Sequence, residues 1–254
     1  MGNSLRNYSH LVVCERSGEA ILIDPLDAKL CLEEAKRLNV KITKVVNTHE
    51  HFDHIEGNPE VVGATGALLH AHANAIGQIP NVDIGLQAGD VIEVGSSVRL
   101  RVMDTPGHTA AHVCLLSEMG EAAFFCGDTL FNAGVGNCHY GGDVNVMYRT
   151  FVEQIFKLPD DTRIYPGHDY IVNNLNFSQS LEPGNEFARC LLNEVSQQSP
   201  EDRAITMIED EKHLNPFFRL GNKEILNSLR QRFADQQDDP ISVFVGLRRV
   251  RDEW

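Results

Sequence analysis

The sequence predicts an α+β fold in which β-sheets pack on each other and a small helical region follows. Short apolar segments, each bounded by Gly, Pro or polar residues, recur through residues 1–130 with few helical patterns between them. From about residue 173 onward only helical patterns occur. We therefore predict one domain over residues 1–172 and a second, helical domain over residues 173–254.

The first elements follow from the period of their apolar residues. HLVVCE and AILID predict two strands joined by the turn RSGE. LDAKLCLEEAKRLN predicts a helix that lies on a sheet, with Leu30, Cys31, Ala35 and Leu38 on its buried face. Further strands are predicted at ITKVVN, GALLH, VIEVG, VRLRVMD, HVCLLS and AAFFCGD. So many strands with so few helices favour two packed sheets.

The remaining elements are mainly helices. DVNVMYRTFVEQIFKL predicts a helix with Asp143 as its N-cap, and TRIYPGHDY predicts a strand followed by a loop. The helical region contributes EFARCLLNEVSQQ, DRAITMIEDEKHL and NKEILNSLRQRFADQ. Its last helix, DPISVFVGLRRVRDEW, has a favourable start at Asp239 and Pro240.

Charge and composition exclude several classes of partner. The 254-residue chain carries a formal net charge of −14, which disfavours nucleic acid as the main ligand. It has no apolar run long enough to span a bilayer and no signal-peptide pattern, so we expect a cytoplasmic protein without membrane contact. The 6 cysteines form no CxxC pair, which favours free thiols in a reducing compartment. The sequence leaves the oligomeric state open, and a monomer is our working expectation.

One short segment concentrates side chains that bind metals. NTHEHFDHIEGN, residues 47–58, contains His49, His51, Asp53 and His54. In an extended or loop conformation, residues two apart point to the same side of the chain. His49 and His51 can therefore bind one ion while Asp53 and His54 face a neighbouring position. The segment predicts ligands for two metal ions.

Three later segments place further ligand types at the ends of predicted strands. His108 follows a strand in DTPGHTAAH, Asp128 follows one in FFCGDTLF, and His168 follows one in IYPGHDY. Taken alone, a histidine after a glycine is more often an ordinary loop residue. The four segments together rarely arise from surface polarity, and a pair of divalent ions needs such additional histidines and a bridging carboxylate. We therefore predict a two-metal site.

These segments carry a family resemblance. THEHFDH, TPGHT, FCGDTLF and PGHDY, in this order, resemble the metallo-β-lactamase superfamily, whose fold is an αββα sandwich with a two-metal site at one edge. This resemblance covers residues 7–172. TLFNAGVGN, GHDYIVNNLNFSQSLEPGN, LNPFFR and LRRVRDEW resemble glyoxalase II, the hydroxyacylglutathione hydrolases, including their C-terminal helical domain. The first predicted domain would then be catalytic and the second would bind substrate.

The resemblance implies a ligand set and a reaction. It assigns His49, His51 and His108 to one ion, Asp53, His54 and His168 to the other, and Asp128 to both. Asp53 and Asp128 are the implied catalytic carboxylates. Zinc is the leading candidate for both ions, and iron or manganese suits the same ligands. The implied reaction is hydrolysis of a thioester such as S-lactoylglutathione by a hydroxide that the two ions share, giving a 2-hydroxy acid and a free thiol.

The resemblance also implies substrate contacts in the second half of the chain. Tyr170 matches a tyrosine that holds the glutathione part, and Arg248 with Arg251 matches a basic pair on the last helix. The family has a lysine in the loop after the bridging Asp, where this chain has Asn137 and Cys138. The missing lysine leaves open whether the thiol is glutathione or a related carrier.

Other readings of the same residues differ in chemistry. A persulfide dioxygenase shares the fold but uses a single iron held by two histidines and one aspartate. A non-catalytic thiol-binding protein would gain nothing from keeping Asp128. Nuclease and β-lactamase activities also occur in the superfamily, but the net charge of −14 disfavours the first and the glyoxalase-like tail disfavours the second. Because every ligand position is filled, we favour the hydrolase.

Overall fold

The computed structural model describes residues 4–203 and 205–254, so the first three positions of the predicted catalytic domain and position 204 of a predicted helix lie outside it. The strands are β1 (His10–Cys14), β2 (Glu19–Ile23), β3 (Lys41–Val46), β4 (Leu68–His72), β5 (Ile84–Leu86), β6 (Val91–Val94), β7 (Val98–Asp104), β8 (Val113–Ser117), β9 (Ala123–Gly127), β10 (Leu130–Phe131), β11 (Gly134–Val135) and β12 (Arg163–Pro166). The α-helices are α1 (Ala28–Arg37), α2 (Phe52–Ile55), α3 (Asn58–Thr65), α4 (Val144–Glu153), α5 (Ile171–Leu181), α6 (Glu186–Val195), α7 (Ile208–Leu214), α8 (Lys223–Arg232) and α9 (Pro240–Asp252).

The larger strands form two five-stranded sheets. The first has the order β1-β2-β3-β4-β5, and the second has the order β12-β9-β8-β7-β6. In the first sheet β1 runs antiparallel to β2, whereas β2 to β5 pair in parallel. In the second sheet β12 pairs with β9 in parallel and the other pairs are antiparallel. The strands β10 and β11 form a separate hairpin directly after β9.

The buried apolar side chains form successive layers. One cluster joins residues of both sheets, including Ile21 and Val46 of the first and Val102 and Leu115 of the second, so the sheets pack face to face. A second cluster packs α1 and α3 on the outer face of the first sheet. A third packs α4 and the C-terminal helices on the outer face of the second sheet. This order of layers confirms the predicted αββα sandwich with a helical C-terminal region.

The structure corrects several details of the sequence prediction. All eight strands predicted before residue 130 are present, but β5, β10 and β11 were not predicted. On α1 the buried residues are Ala28, Cys31 and Ala35, whereas Leu30 and Leu38 are exposed. The prediction was therefore right for Cys31 and Ala35 and wrong for the two leucines. Asp143 and Asp239 do cap α4 and α9, as predicted. The 6 cysteines are all free thiols.

The C-terminal helices share their core with the second sheet. Phe244 of α9 is fully buried and packs against Tyr148 and Phe151 of α4 and against Phe217. Met103 and Phe124 of the second sheet belong to the same cluster. The predicted domain boundary at residue 172 falls just inside α5, and it stays a prediction. None of the helices in the described ranges is long and apolar enough to cross a membrane.

Because this core is shared, we expect the chain to unfold in one cooperative transition. Replacing Phe244 with Ala should lower the free energy of unfolding by about 3–5 kcal/mol. The single tryptophan, Trp254, packs on Phe177 and reports the helical region by fluorescence, while circular dichroism reports the whole fold. The urea midpoint of unfolding should fall by the same amount whether it is followed by fluorescence or by circular dichroism. Separate shifts would contradict the shared core, and Ile241→Ala, on the exposed side of α9, is the matched control.

Candidate metal centre

The seven predicted metal residues meet at one edge of the sandwich. They lie where strands end: the NTHEHFDH segment follows β3, Asp128 follows β9, His168 follows β12, and His108 lies between β7 and β8. Their ligand atoms form three groups, each within 4.8 Å: His49, His51 and His108; His49, His54 and Asp128; Asp53, His54 and His168. All seven are brought together, and six of them are buried.

The opening segment is not extended throughout, contrary to our expectation. His49 and His51 lie in a loop, but a single helical turn, α2, begins after His51, which has the extended N-cap conformation. This turn places Asp53 and His54 beside His168, while the His54 ring stays 4.1 Å from the His49 ring. A helical turn, and not the strand-like alternation that we had expected, therefore positions the second ligand pair.

Each of the five histidines donates a hydrogen bond to an oxygen from its outer ring nitrogen, the one that points away from the centre. The other ring nitrogen is called the inner nitrogen. The acceptors are Thr48 Oγ1 for His49 (3.0 Å), Tyr140 O for His51 (3.0 Å), Asp24 Oδ2 for His54 (2.9 Å), Asn137 O for His108 (2.6 Å) and Leu5 O for His168 (2.8 Å). The Thr48 hydroxyl donates to Asp24 Oδ2, so it accepts from the ring. In a neutral ring the outer nitrogen then carries the proton, and the inner nitrogen keeps its lone pair.

The inner nitrogens face one another. His51 Nδ1 lies 3.1 Å from His49 Nε2 and 3.0 Å from His108 Nε2, and His54 Nε2 lies 3.3 Å from His168 Nε2. Where both rings are neutral, two lone pairs at this distance repel each other, and a cation between them turns the repulsion into coordination. Imidazole nitrogens and carboxylate oxygens are ligands of divalent transition metals. The side chains therefore fit divalent metal ions.

Asp128 lies between the two sets of histidines. Its carboxylate oxygens are 3.5 Å from His54 Nε2, 3.5 Å from His108 Nε2 and 3.3 Å from His168 Nε2. The Oδ1 atom is buried and has no hydrogen-bond partner in the part of the chain that the structure describes. An unsatisfied buried carboxylate oxygen is costly unless a cation balances it. This orphan atom is independent support for the fit to a metal ion.

The charges of the site favour a cation on the carboxylate side. Burial alone lowers the pKa of His54, but Asp128, Asp24 and Asp53 outweigh it and raise the pKa to about 9. Burial would raise the pKa of Asp128, yet His54 and His168 hold it well below its usual range. Burial also lowers the pKa of His49, which therefore stays neutral. The Nε2 lone pair of His49 is thus free of a proton at neutral pH.

Asp24 and His112 support this centre from behind. Asp24 is buried at a φ of 51° and accepts hydrogen bonds from the Thr48 N–H (2.8 Å) and from His54. His112 stacks on His49 and accepts a hydrogen bond from the Asp128 N–H at 3.2 Å. Both side chains therefore fix ligand residues without reaching the centre themselves.

Two glycines make room for these contacts. Gly127 has a φ of 46°, and a Cβ there would lie 2.5 Å from Thr48 Oγ1. A Cβ on Gly167 would lie 2.3 Å from Asp128 Oδ1. Neither distance is possible between non-bonded atoms, so the GD and GH pairs of the sequence bring the ligands together only because these positions are glycines.

The segment before β1 completes the centre, and sequence reasoning missed it. Leu5 supplies the carbonyl that holds His168, and Asn7 Nδ2 donates to Asp53 Oδ2 at 2.9 Å. The Tyr8 N–H donates to the carbonyl of Gly167 at 2.8 Å. Backbone acceptors leave no trace in a sequence, so the only available signal was the polar Asn7 ahead of an apolar strand.

The predicted substrate residues lie around the centre in different settings. Tyr170 is half-buried and stacks on His168, with ring centroids 4.8 Å apart. Arg251 is half-buried and donates to Asn174 Oδ1. Arg248 is buried, and Cys138 packs against the core cluster of the second sheet. The Asn137 side chain accepts from the His139 N–H, so the loop that lacks the family's lysine is internally bonded.

Glu211 ties α7 to the hairpin that follows Asp128. Its carboxylate is fully buried and accepts from the Ala133 N–H, from Thr206 Oγ1 and from Asn215 Nδ2. Ala133 has a φ of 61°, a conformation that costs energy for a residue with a side chain. Glu211 therefore stabilises a strained turn close to the centre.

This carboxylate should make stability depend on pH. Burial raises the pKa of Glu211 to about 7, above the 4.5 of an ordinary glutamate. Because the folded protein holds this proton more tightly, the contribution is complete below pH 4.5 and decreases as pH rises through 7, by roughly 3 kcal/mol. Urea titrations across this range should show Glu211→Gln lacking that decrease. Parallel curves for the two proteins would contradict the prediction.

Two family models match this chain, one on each side of residue 168. Residues 5–168 match the model of the metallo-beta-lactamase superfamily, and residues 169–254 match that of the hydroxyacylglutathione hydrolase C-terminus. A hydroxyacylglutathione hydrolase of Polaromonas sp. is 51% identical over 255 residues, covering 100% of this chain and 97% of the relative. The enzyme of that name from Nitrosococcus oceani is 49% identical, covering 99% of this chain and 97% of the relative.

Solved structures share the fold. ETHE1 from Myxococcus xanthus superposes with a TM-score of 0.67 at 25% sequence identity, covering 97% of this chain and 94% of that protein. The αββα layers, the cluster of histidines and aspartates, and the two family models agree. This chain belongs to the metallo-beta-lactamase superfamily and, within it, to the hydroxyacylglutathione hydrolases.

Proposed function

We propose that this protein is a metal-dependent thioester hydrolase that cleaves S-(2-hydroxyacyl)glutathione, for example S-lactoylglutathione, to a 2-hydroxy acid and free thiol. One observation carries the proposal: inner histidine nitrogens converge on a buried carboxylate whose Oδ1 atom has no hydrogen-bond partner among residues 4–203 and 205–254. Relatives that carry the name hydroxyacylglutathione hydrolase, at 51% and 49% identity over essentially the whole chain, support the choice of substrate.

We assign His49, His51 and His108 to one ion and Asp53, His54 and His168 to the other, with Asp128 shared between them. The overlap of the three ligand groups supports this division. Zinc is our first choice, and iron or manganese suits the same donors. When bound, such ions lower the pKa of water and polarise a carbonyl oxygen.

The side chains of the protein orient the reaction and set its charge. The pocket contains two carboxylates, those of Asp128 and Asp53, and Asn7 donates a hydrogen bond to the Asp53 carboxylate. Buried His49 is neutral in this pocket. Thr48, Asp24 and the backbone carbonyls keep every ring in one orientation. The leaving thiolate needs no strong acid because its pKa is far below that of an alkoxide. Preorganisation of charge is thus the main contribution of the protein.

Tyr170 and Arg251 are the proposed contacts for the thiol part of the substrate. Both are half-buried on the side of His168, where Arg6 also lies 5.3 Å from the Tyr170 ring. Two guanidinium groups beside an aromatic ring suit a carboxylate-bearing peptide such as glutathione. This local positive charge offsets the overall charge of −14 at the site itself.

The persulfide dioxygenase alternative needs only two histidines and one aspartate. Here the three ligand groups comprise five histidines and two aspartates, so a single ion held by two histidines and one aspartate would leave four of the seven residues unused. His49 and His108 are buried, and their Nε2 atoms face His51 Nδ1 at 3.1 and 3.0 Å, which favours a second ion there and hydrolysis.

A panel of thioesters, assayed by thiol release with metal analysis of the same sample, tests the proposal. We expect two metal ions per chain and the highest kcat/KM on S-lactoylglutathione, compared with the lactoyl thioesters of coenzyme A and of N-acetylcysteine. One iron per chain, oxygen uptake on glutathione persulfide and no thiol release would instead establish the dioxygenase.

We place the reaction in the cytoplasm. The 6 free cysteines include exposed Cys190 and half-buried Cys138, which supports a reducing compartment. Fractionation of cells with an antibody to the chain would test this. Recovery from the periplasm or an organelle would contradict it.

A further inference from the structure

Two backbone hydrogen bonds hold Arg6 close to Tyr170. The Asp169 N–H donates to the Arg6 carbonyl at 2.9 Å. The next bond along the chain joins the Tyr8 N–H to the Gly167 carbonyl at 2.8 Å. These bonds fix the segment before β1 against the residues that immediately precede Tyr170, which is the proposed contact for the thiol part of the substrate.

Arg6 has a backbone conformation that arginine rarely adopts. Its φ of 57° lies in the left-handed region, which asparagine and aspartate occupy much more readily. Residues held in this region cost the fold energy, and they cluster at binding and catalytic sites. The hydrogen bonds to the backbone of Arg6 fix its conformation but do not require a guanidinium. The identity of the side chain therefore needs a separate reason.

The Arg6 guanidinium lies over the Tyr170 ring and not beside a carboxylate. Its Cζ atom is 5.3 Å from the centre of the ring. The side chain is exposed, and within the described ranges it forms no hydrogen bond and no ion pair. The chain has 36 aspartate and glutamate residues, so carboxylate partners are plentiful. A cation that has none of them is available to a ligand.

Arg251 brings a second positive charge to Tyr170 from the last helix. Burial is the largest cause that raises the pKa of Tyr170, and the guanidinium groups of Arg6 and Arg251 both oppose it. Both cations therefore place positive potential at the Tyr170 hydroxyl. Like Arg6, Arg251 forms no ion pair with a carboxylate in the part of the chain that the structure describes; it donates to Asn174 Oδ1.

The chemistry of these two cations suits an acidic thiol. A guanidinium group binds a carboxylate through charge-assisted, often paired hydrogen bonds. The thiol part of a glutathione thioester carries two carboxylates, whereas that of an N-acetylcysteamine thioester carries none. A thiol without a carboxylate would therefore leave Arg6 unpaired.

We propose that Arg6 is a specificity-determining residue whose guanidinium binds a carboxylate of the thiol part, so that the protein prefers thioesters of acidic thiols to those of neutral ones. The inference rests on the proposed thioester hydrolysis and adds the segment before β1 to the substrate site. It leaves the predicted roles of Arg248 and Arg251 unchanged. It also explains the strained backbone, because the residues that suit the left-handed region best lack a positive charge.

Three variants separate the charge of Arg6 from its backbone and from the net charge of the chain. Arg6→Met removes the charge and keeps a long side chain. Arg6→Asn removes the charge and suits a φ of 57°. Arg16→Met is the matched control, because Arg16 is an exposed arginine in the turn between β1 and β2. All three variants change the net charge equally, so differences among them report position.

The decisive measurement is the ratio of kcat/KM on S-lactoylglutathione to kcat/KM on the lactoyl thioester of N-acetylcysteamine. Arg6→Met and Arg6→Asn should each lower this ratio about 10-fold or more, mainly through KM for the glutathione thioester, as expected when a hydrogen bond to a charged group is lost. Arg16→Met should keep the wild-type ratio. A wild-type ratio in Arg6→Met and Arg6→Asn would overturn the proposal.

Urea unfolding distinguishes substrate binding from a structural role. Arg6→Asn should be at least as stable as the wild type, because asparagine fits the left-handed backbone better, and yet it should lose the preference for S-lactoylglutathione. A purely structural Arg6 predicts the opposite pattern. Reduced stability of Arg6→Asn, with equal losses of kcat/KM on the two thioesters, would overturn the inference.

Binding of S-methylglutathione, which is not a thioester, separates this inference from the proposed function. Calorimetry should show that Arg6→Met binds it about 10-fold more weakly than the wild type and Arg16→Met do. If the protein cleaves no thioester but this difference appears, the carboxylate site stands and the proposed function does not. If the protein hydrolyses S-lactoylglutathione while Arg6→Met matches the wild type in binding and in the kcat/KM ratio, the function stands and the role of Arg6 does not.

Discussion

Replacing Asp128 with Ala should reduce thioester hydrolysis by about 10³-fold or more, the upper end of what loss of one preorganised electrostatic group costs. The carboxylate oxygens lie 3.3–3.5 Å from His54, His108 and His168, so they reach histidines of both proposed metal sites. Its loss removes the shared ligand and leaves buried rings without their counter-charge. Thiol release and metal content, measured on one sample, check the prediction.

Two further variants sharpen the Asp128 experiment. Asp128→Asn keeps the shape but removes the charge, and it should lose nearly as much activity. Asp143→Ala removes an exposed aspartate that only caps α4, so it should cost about 1 kcal/mol of stability and leave hydrolysis unchanged. Activity within tenfold of wild type in Asp128→Ala would defeat the two-metal mechanism.

Replacing Asp24 with Ala should have the next largest effect, on stability and metal binding together. Asp24 accepts from the Thr48 N–H, from the Thr48 hydroxyl and from His54 Nδ1, all inside the protein. Removing one partner of such a buried, charged network costs about 3–5 kcal/mol. Loss of the acceptor behind a ligating histidine typically weakens metal binding by about 10–100-fold. Urea unfolding and cobalt titration measure the two effects.

The backbone at Asp24 offers an internal control. Its φ of 51° is tolerated by asparagine almost as well as by aspartate. Asp24→Asn therefore keeps the backbone and one acceptor oxygen while removing the charge that faces His54. Asp27→Ala, which removes the N-cap of α1, should cost about 1 kcal/mol without changing metal affinity. Equal metal affinity in wild type and Asp24→Ala would contradict the supporting role.

Much of this fold was predictable because the spacing of the apolar residues, and the Gly, Pro and polar residues between the apolar runs, determine it locally. The strands before residue 130 follow from short apolar runs, and the α4 cap follows from an aspartate ahead of a helical pattern. His108, Asp128 and His168 were predictable because strand ends meet at one edge of a layered fold. The misplaced face of α1 shows the limit, because two exposed leucines fit the helical period as well as the buried residues do.

What the sequence concealed are contacts made by backbone atoms over long separations. Leu5 and Asn137 act through carbonyls, which every residue possesses, so nothing in their side chains marks them. Arg248 shows the converse case. Its motif indicates a substrate contact, which stays a prediction, and gives no sign that the guanidinium also donates to the carbonyls of Val135 and Gly136.

The five acceptors behind the histidines also bear on the order of events when the protein is made. They come from the start of the chain, from the turn after β2, from the ligand segment itself and from the loop after β11. During synthesis, residues 47–58 emerge long before residues 137 and 168. The nascent chain therefore offers metal ions only some of the ligands, and these are not yet held in fixed orientations. Selection of the correct metal should therefore come after folding, and cells that misload the protein would do so during synthesis.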